Sequence, residues 1–134
     1  MPGGTLRVGL TLEGETVQSL YLEGPAVQVF RGTIDVDPAS NDHAQKTVQA
    51  GTYFTEQDDG LSQKWLGNVF CNPPYGKGED GKSRQALWSS ELVRRYDAGE
   101  VTQACLLITA AVDRSWFPAL YRFPVCFFHG RIRF

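Results

Sequence analysis

Residues 69–78 read VFCNPPYGKG, and this stretch decides how the rest of the chain is interpreted. Three apolar residues enter it and a polar segment with two glycines leaves it. Proline has no backbone N–H and holds φ near about −65°, so Pro73 and Pro74 cannot continue a sheet. The tetrapeptide at residues 72–75 is therefore predicted to be a stiff, extended loop at the end of a strand, where ligands of open α/β sheets bind.

The loop offers a narrow set of hydrogen-bonding groups. Asn72 carries an amide oxygen, and Pro73 carries a carbonyl with no N–H beside it, so the two acceptors are held in a fixed relation. Two fixed acceptors suit one planar amine with two hydrogens. Tyr75 adds a flat face on which the ring that bears this amine can stack. The stretch predicts a site for an exocyclic amino group on a flat heterocycle.

A strand followed by NPPY resembles the catalytic loop of S-adenosylmethionine-dependent amino-methyltransferases. The flanking segments make the chain similar to phage-type DNA adenine-N6 methyltransferases, in the same order over about residues 27–134. The matching segments are IDVDPAS at 34–40, YFT at 53–55, DDGL at 58–61, WF at 116–117 and GRIRF at 130–134. The resemblance implies that S-adenosyl-L-methionine is the cofactor and DNA the partner. It also implies that the catalytic residues are Asn72, Pro73, Pro74 and Tyr75.

The cofactor is expected near the end of the first parallel strand, predicted at residues 33–36. S-adenosylmethionine carries a cationic sulfonium and an ammonium, which carboxylates attract, while N–H groups at a helix N-terminus bind its carboxylate. In the alternative interpretation the acidic residues only cap exposed turns. A departure from the wider superfamily is that residues 40–42 read SND where glycines are usual. The predicted cofactor-binding residues are Asp35, Asp37, Pro38, Ala39 and Ser40, to which the resemblance adds Asp58 and Asp59.

The charge of the chain is unusual for a protein that binds nucleic acid. Its net charge is −2 and its pI is about 5.6, whereas such proteins are usually basic. A local basic face is therefore expected to contact phosphates, and the alternative is that these cations are scattered surface charges. The candidate nucleic-acid-binding residues are Lys77, Lys82, Arg84, Arg131 and Arg133.

Alternating strands and helices predict an α/β fold with a Rossmann-like methyltransferase sheet, truncated relative to its relatives and preceded by an N-terminal β-hairpin. One domain is expected, with residues 1–25 as the hairpin extension and residues 26–134 as the methyltransferase core. Relatives are expected to continue beyond residue 134, so the chain is interpreted as a fragment or a short member. This leaves either an exposed sheet edge or a partner chain that covers it, such as a second copy.

The individual elements follow from hydrophobic periodicity and from turn residues. A hairpin is predicted within residues 5–22, and residues 77–84 are predicted to be a mobile loop. Asp113 or Ser115 is predicted to cap a short helix that ends at Tyr121. The other predicted strands are 33–36, 51–55, 69–71, 101–111 and 124–128, and the other predicted helices are 26–31, 41–50 (stopped by Gly51) and 85–96.

Several classes of protein are disfavoured by composition. The three cysteines lie in apolar runs and their number is odd, which favours free thiols over disulfides. Neither the cysteines nor the two histidines have the spacing of a metal site, so no metal is expected. No apolar run approaches the roughly 20 residues that span a membrane. A cytoplasmic protein, bacterial or phage-encoded, is expected.

Three functions stay open at this point. The first is methyl transfer to the amino group of adenine in DNA. The second uses the same loop on a glutamine side-chain amide of a protein, because that group is also planar and carries an NH₂. The third is an inactive methyltransferase-like domain that binds nucleic acid or a partner. It is favoured by the absence of the upstream Thr-Pro segment that relatives are expected to carry.

Overall fold

Four short parallel strands form the sheet that organises the described part of the chain. The structure is a computed structural model and describes residues 7–13, 16–23, 32–130 and 132. Two strands near the start, β1 (Arg7–Glu13) and β2 (Thr16–Glu23), pair antiparallel in a sheet of their own. The parallel sheet contains β3 (Val36–Asp37), β4 (Thr52–Tyr53), β5 (Gly67–Cys71) and β6 (Val101–Leu106).

The order of the parallel strands is β4-β3-β5-β6. Val36 of β3 pairs with Thr52 of β4 on one side and with Val69 of β5 on the other. After β3, the chain adds β4 on one side of that strand. It then crosses back and adds β5 and β6 on the other side. Such a reversal leaves a crevice between the carboxyl ends of the two central strands. The predicted α/β fold is confirmed, and its reversal point lies between β3 and β5.

The first helix, α1 (Asp42–Val48), connects β3 to β4. The sequence predicts either Ser40 or Asn41 as its cap, and the Asn41 side chain is the one that caps it, by accepting a hydrogen bond from the Ala44 N–H at 2.9 Å. The predicted stop at Gly51 is wrong. The helix ends at Gln49, which takes a left-handed conformation with φ of 49°, and residues 50–51 already lead into β4.

The second helix, α2 (Arg84–Asp97), connects β5 to β6 and matches the helix predicted at 85–96. The Ser83 hydroxyl accepts a hydrogen bond from the Ala86 N–H at 3.3 Å and caps its start. Its buried face packs Trp88 and Leu92 into the core beside Val69. The Trp88 ring stacks on that of Trp65 at 5.6 Å between centroids.

Several predicted elements differ from the structure. The strand predicted at 101–111 ends at Leu106, and residues 124–128 form no strand. The short helix is a 3₁₀ helix, Phe117–Arg122, and neither predicted cap is used, because Pro118 at its start lacks an N–H that would need one. The strands predicted at 33–36 and 51–55 shrink to two residues each. The helix predicted at 26–31 lies outside the described residues.

The prediction of free cysteines is confirmed. Cys71 is buried, Cys105 and Cys126 are partly buried, and none of them is in a disulfide. Burial raises the pKa of the Cys105 thiol to about 11 and raises that of Cys71 further. Both thiols are therefore inert packing groups at neutral pH.

Candidate active site

The predicted catalytic loop directly follows β5. Residues 72–75 have no regular secondary structure, Pro73 is fully buried and Tyr75 is 50% exposed. The Oδ1 atom of Asn72 is buried and accepts no hydrogen bond from any described residue. An unpaired buried acceptor costs about 1–3 kcal/mol, so such atoms are rare unless a ligand or water uses them.

Asp37 is the buried carboxylate at the end of β3. It is 2% exposed, and its Oδ2 accepts a hydrogen bond from Gln45 Nε2 at 2.8 Å. Burial raises its pKa, while hydrogen bonds from Ser40, Ala39 and Gln45 oppose that rise. Ser40 is drawn into the same network because its hydroxyl accepts a second hydrogen bond from Gln45 at 2.8 Å. Asp37 is thus a buried carboxyl group that accepts hydrogen bonds both from its own turn, through the Ala39 N–H, and from α1, through Gln45.

The backbone of Pro38 is in close contact with the backbone of Gly60. A Cβ built on Gly60 would overlap the carbonyl oxygen of Pro38 and would lie 3.1 Å from Trp88 Cη2. The carbonyl of Gly60 accepts a hydrogen bond from Trp65 Nε1 at 2.7 Å. The segment predicted to help bind the cofactor is thus packed against the loop after β4. Neither Gly60 nor Gln45 was predicted as a site residue, since both act through contacts with residues distant in sequence.

The other predicted acidic residues are placed differently. Asp35 precedes β3, and its carboxylate accepts a hydrogen bond from the Asn68 N–H at 2.8 Å, near the amino end of β5. Asp58 accepts from both the N–H and the hydroxyl of Thr55, at 2.8 and 2.7 Å, which lowers its pKa. Asp59 is exposed, with φ of 49°, and its side chain has no partner among the described residues. The structure therefore brings Asp37 to the crevice and gives Asp35 and Asp58 other hydrogen-bonding partners.

The segment after the catalytic loop is a closed hairpin and not an unstructured loop. Lys77 and Ser83 form an antiparallel bridge, and the Gly78 N–H donates to the Lys82 carbonyl at 2.9 Å. Lys77 and Lys82 are exposed on its two limbs, and Arg84 follows at the start of α2. These three candidate nucleic-acid contacts are therefore neighbours. Arg131 and Arg133 lie outside the described residues.

Two more buried polar groups lie on α2, and sequence reasoning missed both. Gln85 Oε1 accepts a hydrogen bond from the Thr109 hydroxyl at 2.6 Å, but its Nε2 has no acceptor among the described residues. The hydroxyl of Ser89, one helical turn later, is also unpaired there. The sequence predicts both residues to lie in this helix and marks neither as a site residue, because nothing in the helical pattern distinguishes them from other helix positions.

Within the described ranges, no three or more His, Cys, Asp or Glu side chains are grouped so that they could hold a metal ion. None of the helices described is both long enough and apolar enough to cross a membrane.

Comparison with known proteins gives one finding. The model of the family described as DNA N-6-adenine-methyltransferase (Dam) matches residues 20–134, which begins inside β2 and takes in the whole parallel sheet. No curated protein and no solved structure matches the chain. Since the matched residues include most of the chain and both strand-end segments of the crevice, this chain belongs to the DNA N-6-adenine-methyltransferase (Dam) family.

Proposed function

We propose that the protein transfers a methyl group from S-adenosylmethionine to the exocyclic amino group of adenine in DNA. Membership of the Dam family supports the reaction class. The observation that carries the assignment is the unpaired, buried Oδ1 of Asn72 at the carboxyl end of β5. The parallel sheet would be the centre of a Rossmann-like methyltransferase sheet, with its crevice between Asp37 and Asn72.

In this proposal Asn72 and Pro73 hold the target amine. Asn72 Oδ1 and the Pro73 carbonyl each accept a hydrogen bond from the adenine N6, which draws the nitrogen lone pair out of conjugation with the ring. The lone pair would then form the new N–C bond as the bond from the methyl carbon to the donor sulfur breaks, with the electron pair of that bond going to the sulfur, and one N6 proton would leave to solvent afterwards. Catalysis by fixed dipoles and positioning needs no strong base.

The loop must open before the amine can reach Asn72. Oδ1 has no exposure to solvent as the protein stands, and Pro73 beside it is fully buried. Tyr75, which is half exposed, is positioned to stack on a base that has left the duplex. Loop movements of this kind accompany substrate entry in many enzymes. We therefore expect methyl transfer to be limited by a step that rearranges residues 72–75.

The residues at the end of β3 fit the proposed cofactor. S-adenosylmethionine, when bound, supplies an electrophilic methyl group on a positively charged sulfur. Asp37 is a buried carboxylate whose burial raises its pKa, so a nearby cation would stabilise its ionised form. Pro38, Ala39 and Ser40 lead from it toward α1 and would line the same pocket. Of the two acidic residues in the turn after β4, Asp59 is the better candidate for a contact with the cofactor. The Asp58 carboxylate already accepts hydrogen bonds from Thr55.

DNA would be held by the hairpin after the catalytic loop. Lys77 and Lys82 are exposed on paired limbs, so both can face one strand of phosphates. The nearby Asp80 carboxylate accepts a hydrogen bond from the Lys82 N–H at 3.0 Å. With few cations and a net negative chain, binding should be weak, and its dependence on salt should be shallow because few phosphates are neutralised.

The test is methyl transfer from radiolabelled S-adenosylmethionine to unmethylated DNA and to a glutamine-containing peptide. The variant Asn72→Ala should lose at least about 100-fold in rate, because it removes a fixed transition-state contact, with cofactor affinity nearly unchanged in calorimetry. The control Asn68→Ala lies at the other end of β5, where its side chain donates to the Thr33 carbonyl at 3.0 Å, and it should retain turnover.

Other results of this test would support other conclusions. Equal turnover by wild type and Asn72→Ala would refute the assignment of the loop. Labelling of the peptide alone would support a protein glutamine methyltransferase. No binding of the cofactor at millimolar concentration would leave an inactive domain that binds nucleic acid or a partner.

A further inference from the structure

Gln85 has a buried amide of which only one end is used. The residue is 6% exposed, and its Oε1 accepts a hydrogen bond from Thr109 Oγ1 at 2.6 Å. Its Nε2 is buried and has no acceptor among the described residues. Leaving such a donor unpaired costs about 1–3 kcal/mol, so a fixed and unpaired N–H calls for a partner that the protein itself does not supply.

The fold places this amide beside the catalytic loop. The β5–β6 ladder continues past its last pair, since the Leu107 N–H donates to the Cys71 carbonyl at 2.9 Å. The chain after β6 therefore runs next to the loop that begins at Asn72, and Thr109 lies two residues further along it. On the other side, the Arg84 N–H donates to the Gly76 carbonyl at 3.0 Å, directly after the loop.

The unpaired groups on the two sides are complementary. Asn72 Oδ1 is an acceptor without a donor, and Gln85 Nε2 is a donor without an acceptor. A side-chain pair on its own would satisfy both groups, yet the two are not hydrogen bonded to each other. Adenine presents the matching pattern, because its N6 amine donates and the ring nitrogens N1 and N7 on either side of that amine accept.

We propose that Gln85 binds the target base, with Nε2 donating a hydrogen bond to the ring nitrogen next to the methylated amine. This inference rests on the proposed DNA methyltransferase function and adds a residue that reads the base. Thr109 is the positioning residue. Its hydroxyl donates to Oε1 of Gln85, so the Nε2 end of the amide points away from Thr109. Guanine has a carbonyl at the amine position, which would oppose Asn72 Oδ1, and its N1–H would also oppose Gln85 Nε2 if N1 is the ring nitrogen that Gln85 contacts.

The test uses the full chain and three duplexes whose target base is adenine, 1-deazaadenine or 7-deazaadenine. Each analogue keeps the N6 amine and lacks one ring acceptor. With the wild-type protein, one of the analogues should lower kcat/KM about tenfold relative to adenine. With Gln85→Glu, which keeps an acceptor for Thr109 but has no N–H, that same analogue should differ from adenine by less than twofold.

The matched control is Gln57→Glu, which makes the same chemical change at an exposed position of the 3₁₀ turn at Glu56–Asp58. It should respond to the analogues as the wild type does. Thermal unfolding and cofactor affinity of both variants establish that a lost response is not lost folding. A role of Gln85 confined to packing would leave the analogue response unchanged in Gln85→Glu, and that result would overturn the inference while the proposed function stands. No methyl transfer by the wild-type protein to the adenine duplex would overturn both.

Discussion

Gly60 and Pro38 approach so closely that residue 60 has no room for a side chain. A Cβ at Gly60 would overlap the carbonyl oxygen of Pro38, and the ring of Trp88 closes the space from the other side. The loop after β4 is thereby fixed against the segment that follows β3. That segment also carries Asp37. The contact between Gly60 and Pro38 involves no reactive group, yet it sets the shape of the proposed cofactor pocket.

Replacing Gly60 by Ala should reduce both stability and cofactor binding. The added methyl must push the backbone of residue 38 away, and overpacking of this kind costs about 2 kcal/mol. Denaturant titration and calorimetry with S-adenosylmethionine measure the two effects. Gly78→Ala is the control, because the nearest atom to its Cβ is a carboxylate oxygen of Asp80 at 3.1 Å, which can turn aside. Unchanged stability in Gly60→Ala would contradict the described packing.

Replacing Asp37 by Asn should weaken cofactor binding without lowering the stability of the fold. Burial raises the pKa of Asp37 above 3.8, so above that pH the ionised carboxylate opposes folding, and its removal should leave the free energy of unfolding at pH 7 unchanged or higher. The Asn oxygen can still accept from Gln45. Affinity for S-adenosylmethionine should fall at least about tenfold, since a charge contact is lost. A variant that loses stability and keeps its affinity would show a structural role alone.

Arg95 fastens α2 to the loop after Gly60. It is 6% exposed, donates to the carbonyls of Gln63 and Leu61 at 2.7 and 3.0 Å, and lies over the Trp65 ring at 4.6 Å. Lysine keeps the charge but cannot reproduce this fork of donors.

The variant Arg95→Lys should therefore lower the free energy of unfolding by about 2 kcal/mol, measured by urea titration. The neighbouring Arg94 pairs with the same Glu91 that accepts from Arg95, but the Arg94 side chain is largely exposed. Arg94→Lys should cost no more than about 0.5 kcal/mol. Similar losses at the two positions would mean that the carbonyl contacts of Arg95 contribute little.

Glu91 should make stability depend on pH in the acid range. Hydrogen bonds from Arg94, and then from Arg95, lower its pKa from 4.5 to about 2. The ionised carboxylate thus stabilises the fold above about pH 4.5, and this contribution is lost as the pH falls from 4.5 toward 2.

The difference in unfolding free energy between wild type and Glu91→Gln should be largest above pH 5 and should shrink toward pH 2. Denaturant titrations across this range measure it. Glu79→Gln, at an exposed turn position, is the control for removal of one acidic group. A difference between wild type and Glu91→Gln that stays constant with pH would contradict the expected coupling.

The sequence predicted the elements whose causes are local. The proline pair ends β5 because neither residue can donate to a sheet, and Asn41 begins α1 because its side chain accepts from the first turn. The end of β6 was missed because residues 107–111 keep an apolar pattern although the strand itself ends at Leu106.

The placement of two candidate site residues at strand ends was predictable for the same reason. Asp37 ends β3 and Asn72 follows β5, as the local sequence pattern predicts. Asp35 was assigned to the cofactor because of its position near a strand, yet it bonds to Asn68, 33 residues away. Gly60, Gln45 and Gln85 depend on contacts with other segments, and one sequence contains no signal for such contacts.

The stacked indoles of Trp65 and Trp88 give the protein an optical reporter. Their rings lie 5.6 Å apart and within 17° of parallel, close enough for exciton coupling in circular dichroism. Trp65 donates to the Gly60 carbonyl, and the Trp88 ring edge faces Gly60 itself. A movement of the Pro38 segment that displaces Gly60 therefore changes the relative geometry of the two indole rings. Filling of the crevice can then be followed spectroscopically in the unlabelled wild-type chain.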